Sequence, residues 1–110
     1  MNELIEKIFE NFSVPVSFLH YDGNATAYVV YSQIDIDNTL SGDDELLYYA
    51  DYYDFDIYSK GNYFSIIESV KNILEANGFV WQTSKTSSDM YEKDTGYYHK
   101  TLCFAIERRN

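Results

Sequence analysis

Over residues 52–58 apolar Tyr53, Phe55 and Ile57 alternate with Asp54, Asp56 and Tyr58, the period-two pattern of a strand with one buried and one wet face. Ser59, Lys60 and Gly61 lead from this strand into an amphipathic helix. There Tyr63, Ile66, Ile67, Val70, Ile73 and Leu74 recur at helical spacing and form one apolar stripe, with Glu68, Ser69, Lys71, Asn72 and Glu75 on the other side. Asn62 can accept a bond from an orphan amide at the helix start. Gly78 stops the helix in a left-handed conformation that returns Phe79 toward Leu74.

The rest of the chain reads as cover for this strand and helix. Leu4, Ile5, Ile8, Phe9 and Phe12 predict an opening helix over residues 3–11, with Asn2 as its cap, ended by Val14 and Pro15. Residues 16–21 read as a strand, Asp22-Gly23 as a hairpin turn, and residues 26–36 as the return strand. Tyr28, Val29, Val30 and Tyr31 are apolar on both faces, which makes that strand central or covered twice. After the second helix come a short strand over 79–83 with Trp81, a polar bend over 85–89, and an extended Met90-Tyr91-Glu92. A turn over 93–96 precedes a closing strand over 97–107, with Tyr98, Lys100, Leu102, Phe104 and Ile106 on one face and His99, Thr101, Cys103 and Ala105 on the other.

The order α-β-β-β-α-β-β implies one α+β domain over residues 1–110. Its mostly antiparallel or mixed sheet has four to five strands, with two helices packed on one face. Neither an internal repeat nor a linker is visible. The start is amphipathic and acidic, unlike a secretory signal, and no apolar run is long enough to span a membrane, so a soluble protein is expected. The one cysteine, Cys103, has no partner for an internal disulfide, which suits a reducing compartment.

A formal net charge of -10 argues against a surface that binds nucleic-acid phosphates. Twelve tyrosines and seven phenylalanines exceed what so small a core needs, which points to an aromatic contact surface.

Catalytic chemistry finds little support. His99 and Cys103 are four residues apart, about 13 Å along a strand, too far for a nucleophile and its base. Asp54 and Asp56 face the same way about 7 Å apart, a spacing some inverting glycosidases use, but two carboxylates on a wet strand face are the simpler reading. Asp35, Asp37, Asn38, Ser41, Gly42, Asp43, Asp44 and Glu45 form an acidic loop. Asp35-Ile36-Asp37 opens like a calcium loop, yet Leu40 stands where the turn glycine belongs, so that motif is rejected. Phosphate-loop and dinucleotide fingerprints are missing, and His20 reads as a surface residue beside the turn. No catalytic residue, cofactor or metal is expected.

Two segments carry a resemblance. Asp51-Tyr52-Tyr53-Asp54-Phe55-Asp56-Ile57-Tyr58-Ser59-Lys60-Gly61-Asn62 and Tyr91-Glu92-Lys93-Asp94-Thr95-Gly96-Tyr97-Tyr98-His99-Lys100 resemble the small tail-terminator or tail-completion proteins of long-tailed bacteriophages and prophages. Val14-Pro15-Val16, Asp22-Gly23 and the strand over 28–31 fall in the same order.

The resemblance implies a virion assembly protein without enzymatic activity. Such a protein forms a homo-oligomeric ring, typically a hexamer, that ends the tail tube and joins tail to head. Its partners would be the tail tube protein and the head connector, with neither a membrane nor sequence-specific nucleic acid involved. Its place would be the virion tail, and the host bacterial cytoplasm during assembly. Two projecting segments are then candidate contacts: Asp35, Asp37, Asp43, Asp44 and Glu45 in the acidic loop, and Lys93, Asp94, Thr95 and Gly96 in the last turn. Asp54 and Asp56 would face the lumen and repel passing DNA. The competing expectation from charge alone is a small acidic binding protein, a DNA mimic that blocks a nucleic-acid-binding enzyme.

Overall fold

In the computed structural model, which describes residues 2–34, 39–41 and 47–108, the long strand β4 (Leu47–Ser59) is the axis of the sheet. It is preceded by α1 (Asn2–Ile8), β1 (Val16–Phe18), β2 (Ala27–Ile34) and β3 (Thr39–Ser41). After it come α2 (Phe64–Ala76), β5 (Val80–Trp81), β6 (Met90–Glu92) and β7 (Tyr97–Arg108), with a 3-10 turn at Thr83–Lys85.

The fold is α+β with a mixed sheet, as the order of elements implies. The path β1-β2-β4-β7-β5 crosses five strand positions, while β3 also pairs with β4 and β6 also pairs with β7. Among the described residues seven strands thus replace the four to five expected, because β3 shares the outer side of β4 with β2, and β6 shares the outer side of β7 with β5.

Side-chain alternation sets the register of this centre. β4 and β7 run antiparallel from Tyr49↔Arg108 to Ser59↔Tyr98, and β2 flanks β4 from Ala27↔Ser59 to Ile34↔Tyr52. Tyr53, Phe55 and Ile57 of β4, Val29 and Tyr31 of β2, and Leu102 and Phe104 of β7 are all buried on one face. Ile67, Val70 and Leu74 of α2 and Ile5 of α1 belong to the same core, so both helices cover that face. Burying each such side chain contributes roughly 1.5–3 kcal/mol, which is why the alternation fixes the pairing.

The stop of α2 follows its sequence signal. Gly78 has φ 91°, the Phe79 amide donates to the Leu74 carbonyl at 3.0 Å, and the Gly78 amide donates to the Glu75 carbonyl at 3.3 Å. These are the two bonds of a Schellman stop. At the other end Asn62 Oδ1 accepts from the Phe64 amide at 3.2 Å. The opening helix is shorter than expected and passes after Ile8 into turns closed by Phe9 N–H to Ile5 O and Phe12 N–H to Phe9 O.

One expectation is overturned: β1 and β2 are parallel, Val16↔Val29 to Phe18↔Tyr31, so Asp22-Gly23 is not a hairpin turn. A two-residue turn of that kind needs positive φ at both residues. Among the described residues positive φ occurs instead at Leu19 (71°), Gly78 and Gly96. Leu19 turns the chain back, and the Tyr21 ring then stacks on Tyr28 with centroids 4.5 Å apart. Tyr21 Oη accepts from the Ala25 amide at 3.1 Å. Gly23 is needed for a different reason, since a Cβ there would lie 2.0 Å from Tyr21 Oη.

Candidate functional site

The sheet face opposite the helices is built in cross-strand rows. Tyr28, Tyr58, His99 and Met90 are successive register partners on β2, β4, β7 and β6. Their rings form a ladder: Tyr21 on Tyr28 at 4.5 Å, Tyr28 on Tyr58 at 4.7 Å, and Tyr58 on His99 at 4.2 Å. Tyr97 stands edge-on to Tyr28 and Tyr58, and its hydroxyl donates to the Ala25 carbonyl at 2.8 Å. Offset and edge-on ring pairs of this kind each contribute about 0.5–1.5 kcal/mol beyond their buried area. The burial also holds Tyr28 above its ordinary pKa and pushes Tyr58 up to about 12.

The next row places Asp56 opposite Thr101. A carboxylate only accepts, so Nε2–H of His99 donates to Asp56 Oδ1 at 3.2 Å, and the Thr101 hydroxyl donates to the same oxygen. Glu92 Oε2 lies 3.9 Å from His99 Nδ1, the other ring nitrogen. His99 Nε2 and Thr101 Oγ1 thus share one Asp56 oxygen and lie 3.5 Å apart. One row further, Asp54 stands opposite Cys103. Burial raises the Asp54 pKa, with the Asp56 charge adding to it and a hydrogen bond from the Cys103 thiol working against both. Burial and Asp54 push the Cys103 thiol up to about 11, which keeps it protonated near neutral pH.

A second surface lies on the helix side, where α2 begins beside β6 and β7. Tyr63 stacks on Tyr98 at 5.6 Å, Phe64 leans on Tyr63 at 4.8 Å, and Tyr91 packs on Tyr98 at 4.8 Å. Tyr63 is buried, yet Phe64, Tyr91 and Tyr98 are 63%, 54% and 41% exposed. Tyr63, Phe64 and Tyr98 border a cleft of about 520 Å³ with Lys60, Gly61, Asn62 and Asp89. Asp89 is held below its ordinary pKa first by the Tyr63 hydroxyl and then by Lys100, whose Nζ is 3.1 Å away.

These surfaces place the residues singled out by sequence. Asp54 and Asp56 do share one face, but they are half-buried rather than fully wet, with the Asp56 side chain 28% exposed. His99 and Cys103 stay two rows apart, as the strand rise requires. His20 is a surface residue whose Nε2 lies 3.3 Å from Asp22 Oδ2. Lys93, Asp94, Thr95 and Gly96 form the β6–β7 turn, closed by Gly96 N–H to Glu92 O at 2.8 Å and Thr95 Oγ1 to Glu92 Oε1 at 3.1 Å. Asp35, Asp37, Asp43, Asp44 and Glu45 lie outside the described residues.

Sequence reasoning missed the Tyr63, Phe64, Tyr91 and Tyr98 cluster. Its signal was present in the aromatic excess, but only the Ser59↔Tyr98 pairing brings the start of α2 beside β6 and β7. Among the described residues no three His, Cys, Asp or Glu are grouped to hold a metal, and no helix is long and apolar enough to cross a membrane. No known family model matches the chain, and no curated protein is significantly similar to it.

Proposed function

We propose that the chain is a tail-terminator or tail-completion protein of a long-tailed bacteriophage or prophage, acting as the subunit of a ring between tail tube and head connector. The observation that carries the reading is where the two resembling segments meet. They are remote in sequence, yet Ile57↔Lys100, Tyr58↔His99 and Ser59↔Tyr98 are direct partners, and their ends converge on the exposed aromatic cluster. Exposed Tyr and Phe beside a cleft are the composition by which protein surfaces meet.

The role is one of binding rather than chemistry. The Cys103 thiol is protonated and buried, and one Asp56 oxygen takes donors from both His99 and Thr101. The same engagement tells against the DNA-mimic alternative for this carboxylate, because a mimic has to present its charges to a basic partner.

The test is native mass spectrometry of the purified protein, alone and with assembled tail tubes of the corresponding phage. A closed oligomer, or a ring on tube ends, is the expected result. A protein that stays monomeric and ignores the tubes would overturn the reading.

A further inference from the structure

Among the described residues four short strands, β1, β3, β5 and β6, are each paired on one side only. β1 hydrogen-bonds to β2 at one end of the path, and β6 hydrogen-bonds to β7 on the opposite side of the sheet, beside the short β5. Both β1 and β6 are three residues long. Unpaired strand edges are templates for another chain, and soluble proteins usually blunt them with lysine, proline or a covering element. Lysine and proline lie only at the borders of the two strands, Pro15 before Val16-Ser17-Phe18 and Lys93 after Met90-Tyr91-Glu92. Both carry exposed apolar side chains: Phe18 and Leu19 at one end, Met90 and Tyr91 at the other.

We infer that these two edges are the two halves of one contact, in which β6 of one copy of this chain adds to β1 of the next and continues the sheet from subunit to subunit. The inference rests on the ring reading above and names its surfaces.

Strand direction agrees with it. β1 is parallel to β2, β2 is antiparallel to β4, β4 to β7 and β7 to β6, so β1 and β6 run in opposite senses. Two copies placed side by side with the same face up therefore meet as an antiparallel pair, the slightly more stable ladder. Side-chain parity agrees as well. Phe18 is the partner of core-facing Tyr31, and Tyr91 is the partner of Tyr98, which stacks on α2 through Tyr63. Joined in this way, the Phe18 and Tyr91 rings project on the same, helix-bearing face.

Charge explains how copies with a net charge of -10 can approach. From Asn11 to Ile34, the region that contains β1 and β2, Asp22 is the sole Asp, Glu, Lys or Arg. The cleft beside β1 is lined by Glu6 and Glu10 of the opening helix and its turn. At the other edge Glu92 of β6 is followed by Lys93, and Asp89 just before β6 is answered by Lys100. β1 itself thus brings no charge to the contact, although the whole chain is acidic. Because the contact joins two different surfaces, it is heterologous, the kind that forms a ring when the rotation between subunits closes.

The test is cross-linking between Ser17→Cys and Met90→Cys variants of the full chain. Ser17 and Met90 share the open face, since Ser17 pairs with Val30 and Met90 with His99. Each variant is oxidised with copper phenanthroline alone and as a mixture, with and without tail tubes, beside native mass spectrometry of the unmodified chain. The expected result is a covalent dimer in the mixture and in neither single variant. Tyr91→Lys is expected to weaken self-association tenfold or more, with only a small fall in thermal unfolding from the lost Tyr98 ring contact. An oligomer that gives no mixed cross-link, or one that cross-links Ser17→Cys to itself, would overturn the edge contact and leave the tail-terminator reading standing. A strict monomer would overturn both. A mixed cross-link in a protein that ignores tail tubes would uphold the contact against that reading.

Discussion

His99 lies on the ring of Tyr58, with centroids 4.2 Å apart and planes 14° from parallel, while its Nε2 donates to Asp56 Oδ1 at 3.2 Å. One side chain therefore ends the aromatic ladder and also satisfies a half-buried carboxylate. The two roles separate by substitution. His99→Ala loses both and is expected to cost about 1–3 kcal/mol from a ring contact and a charge-assisted bond. His99→Phe keeps the stack and loses the donor, so it is expected to cost less. Urea unfolding of the two variants checks the order; equal losses would mean that the stack contributes nothing.

Asp54 sets a pH dependence of opposite sign to that of a salt-bridged carboxylate. Its pKa is raised from 3.8, first by burial and then by Asp56, so in this region the folded chain binds the proton more tightly than the unfolded chain. Stability attributable to Asp54 therefore falls as pH rises from about its unfolded value through the folded pKa, and the penalty is constant above that. Asp54→Asn removes the penalty. Its unfolding midpoint relative to the parent is expected to be higher at pH 7 than at pH 4. A relative midpoint that rises on acidification would contradict this.

Gly23 and Gly61 make a paired test of the loop that replaces the expected hairpin. An added methyl at Gly23 meets Tyr21 Oη at 2.0 Å and its ring carbons at 2.3 and 2.9 Å, whereas at Gly61 it meets nothing within 4 Å. Tyr21 cannot move away without leaving both the Tyr28 ring and the Ala25 amide. Gly23→Ala is expected to cost about 1–2 kcal/mol, and Gly61→Ala to be near neutral. Thermal melts of both variants decide it, and a neutral Gly23→Ala would show that the stack is dispensable.

The same loop marks the limit of what the sequence makes legible. The alternation of β4, the apolar stripe of α2, the Gly78 stop and the two faces of β7 are local patterns, and each appears in the fold with its face as expected. Asp22-Gly23 is also a local pattern, but Tyr21 closing on Tyr28 competes with the turn it favours, and a contact of that kind is not encoded in a dipeptide. In the candidate site, period two put Asp54 and Asp56 on one face. The donors to Asp56 come from residues 43 and 45 positions away, and only the β4–β7 register selects His99 and Thr101. The aromatic cluster was legible as an excess of Tyr and Phe but not as a place, because its parts come from α2, β6 and β7.

Tyr63 and Phe64 are neighbours in sequence with opposite expected roles. Tyr63 is 4% exposed, packs in the core and has its hydroxyl bonded to Asp89, while Phe64 is 63% exposed on the first turn of α2. Tyr63→Ala is expected to cost about 3–5 kcal/mol, the range for emptying a buried aromatic site. Phe64→Ala is expected to change stability by no more than about 0.5 kcal/mol, as surface substitutions do. If the exposed cluster serves assembly, Phe64→Ala nevertheless weakens oligomer formation or capture on tail tubes, a loss with no counterpart in its melting curve. Urea unfolding and native mass spectrometry on the same samples separate the two effects. A Phe64→Ala variant with unchanged stability and unchanged assembly would remove this ring from the contact surface.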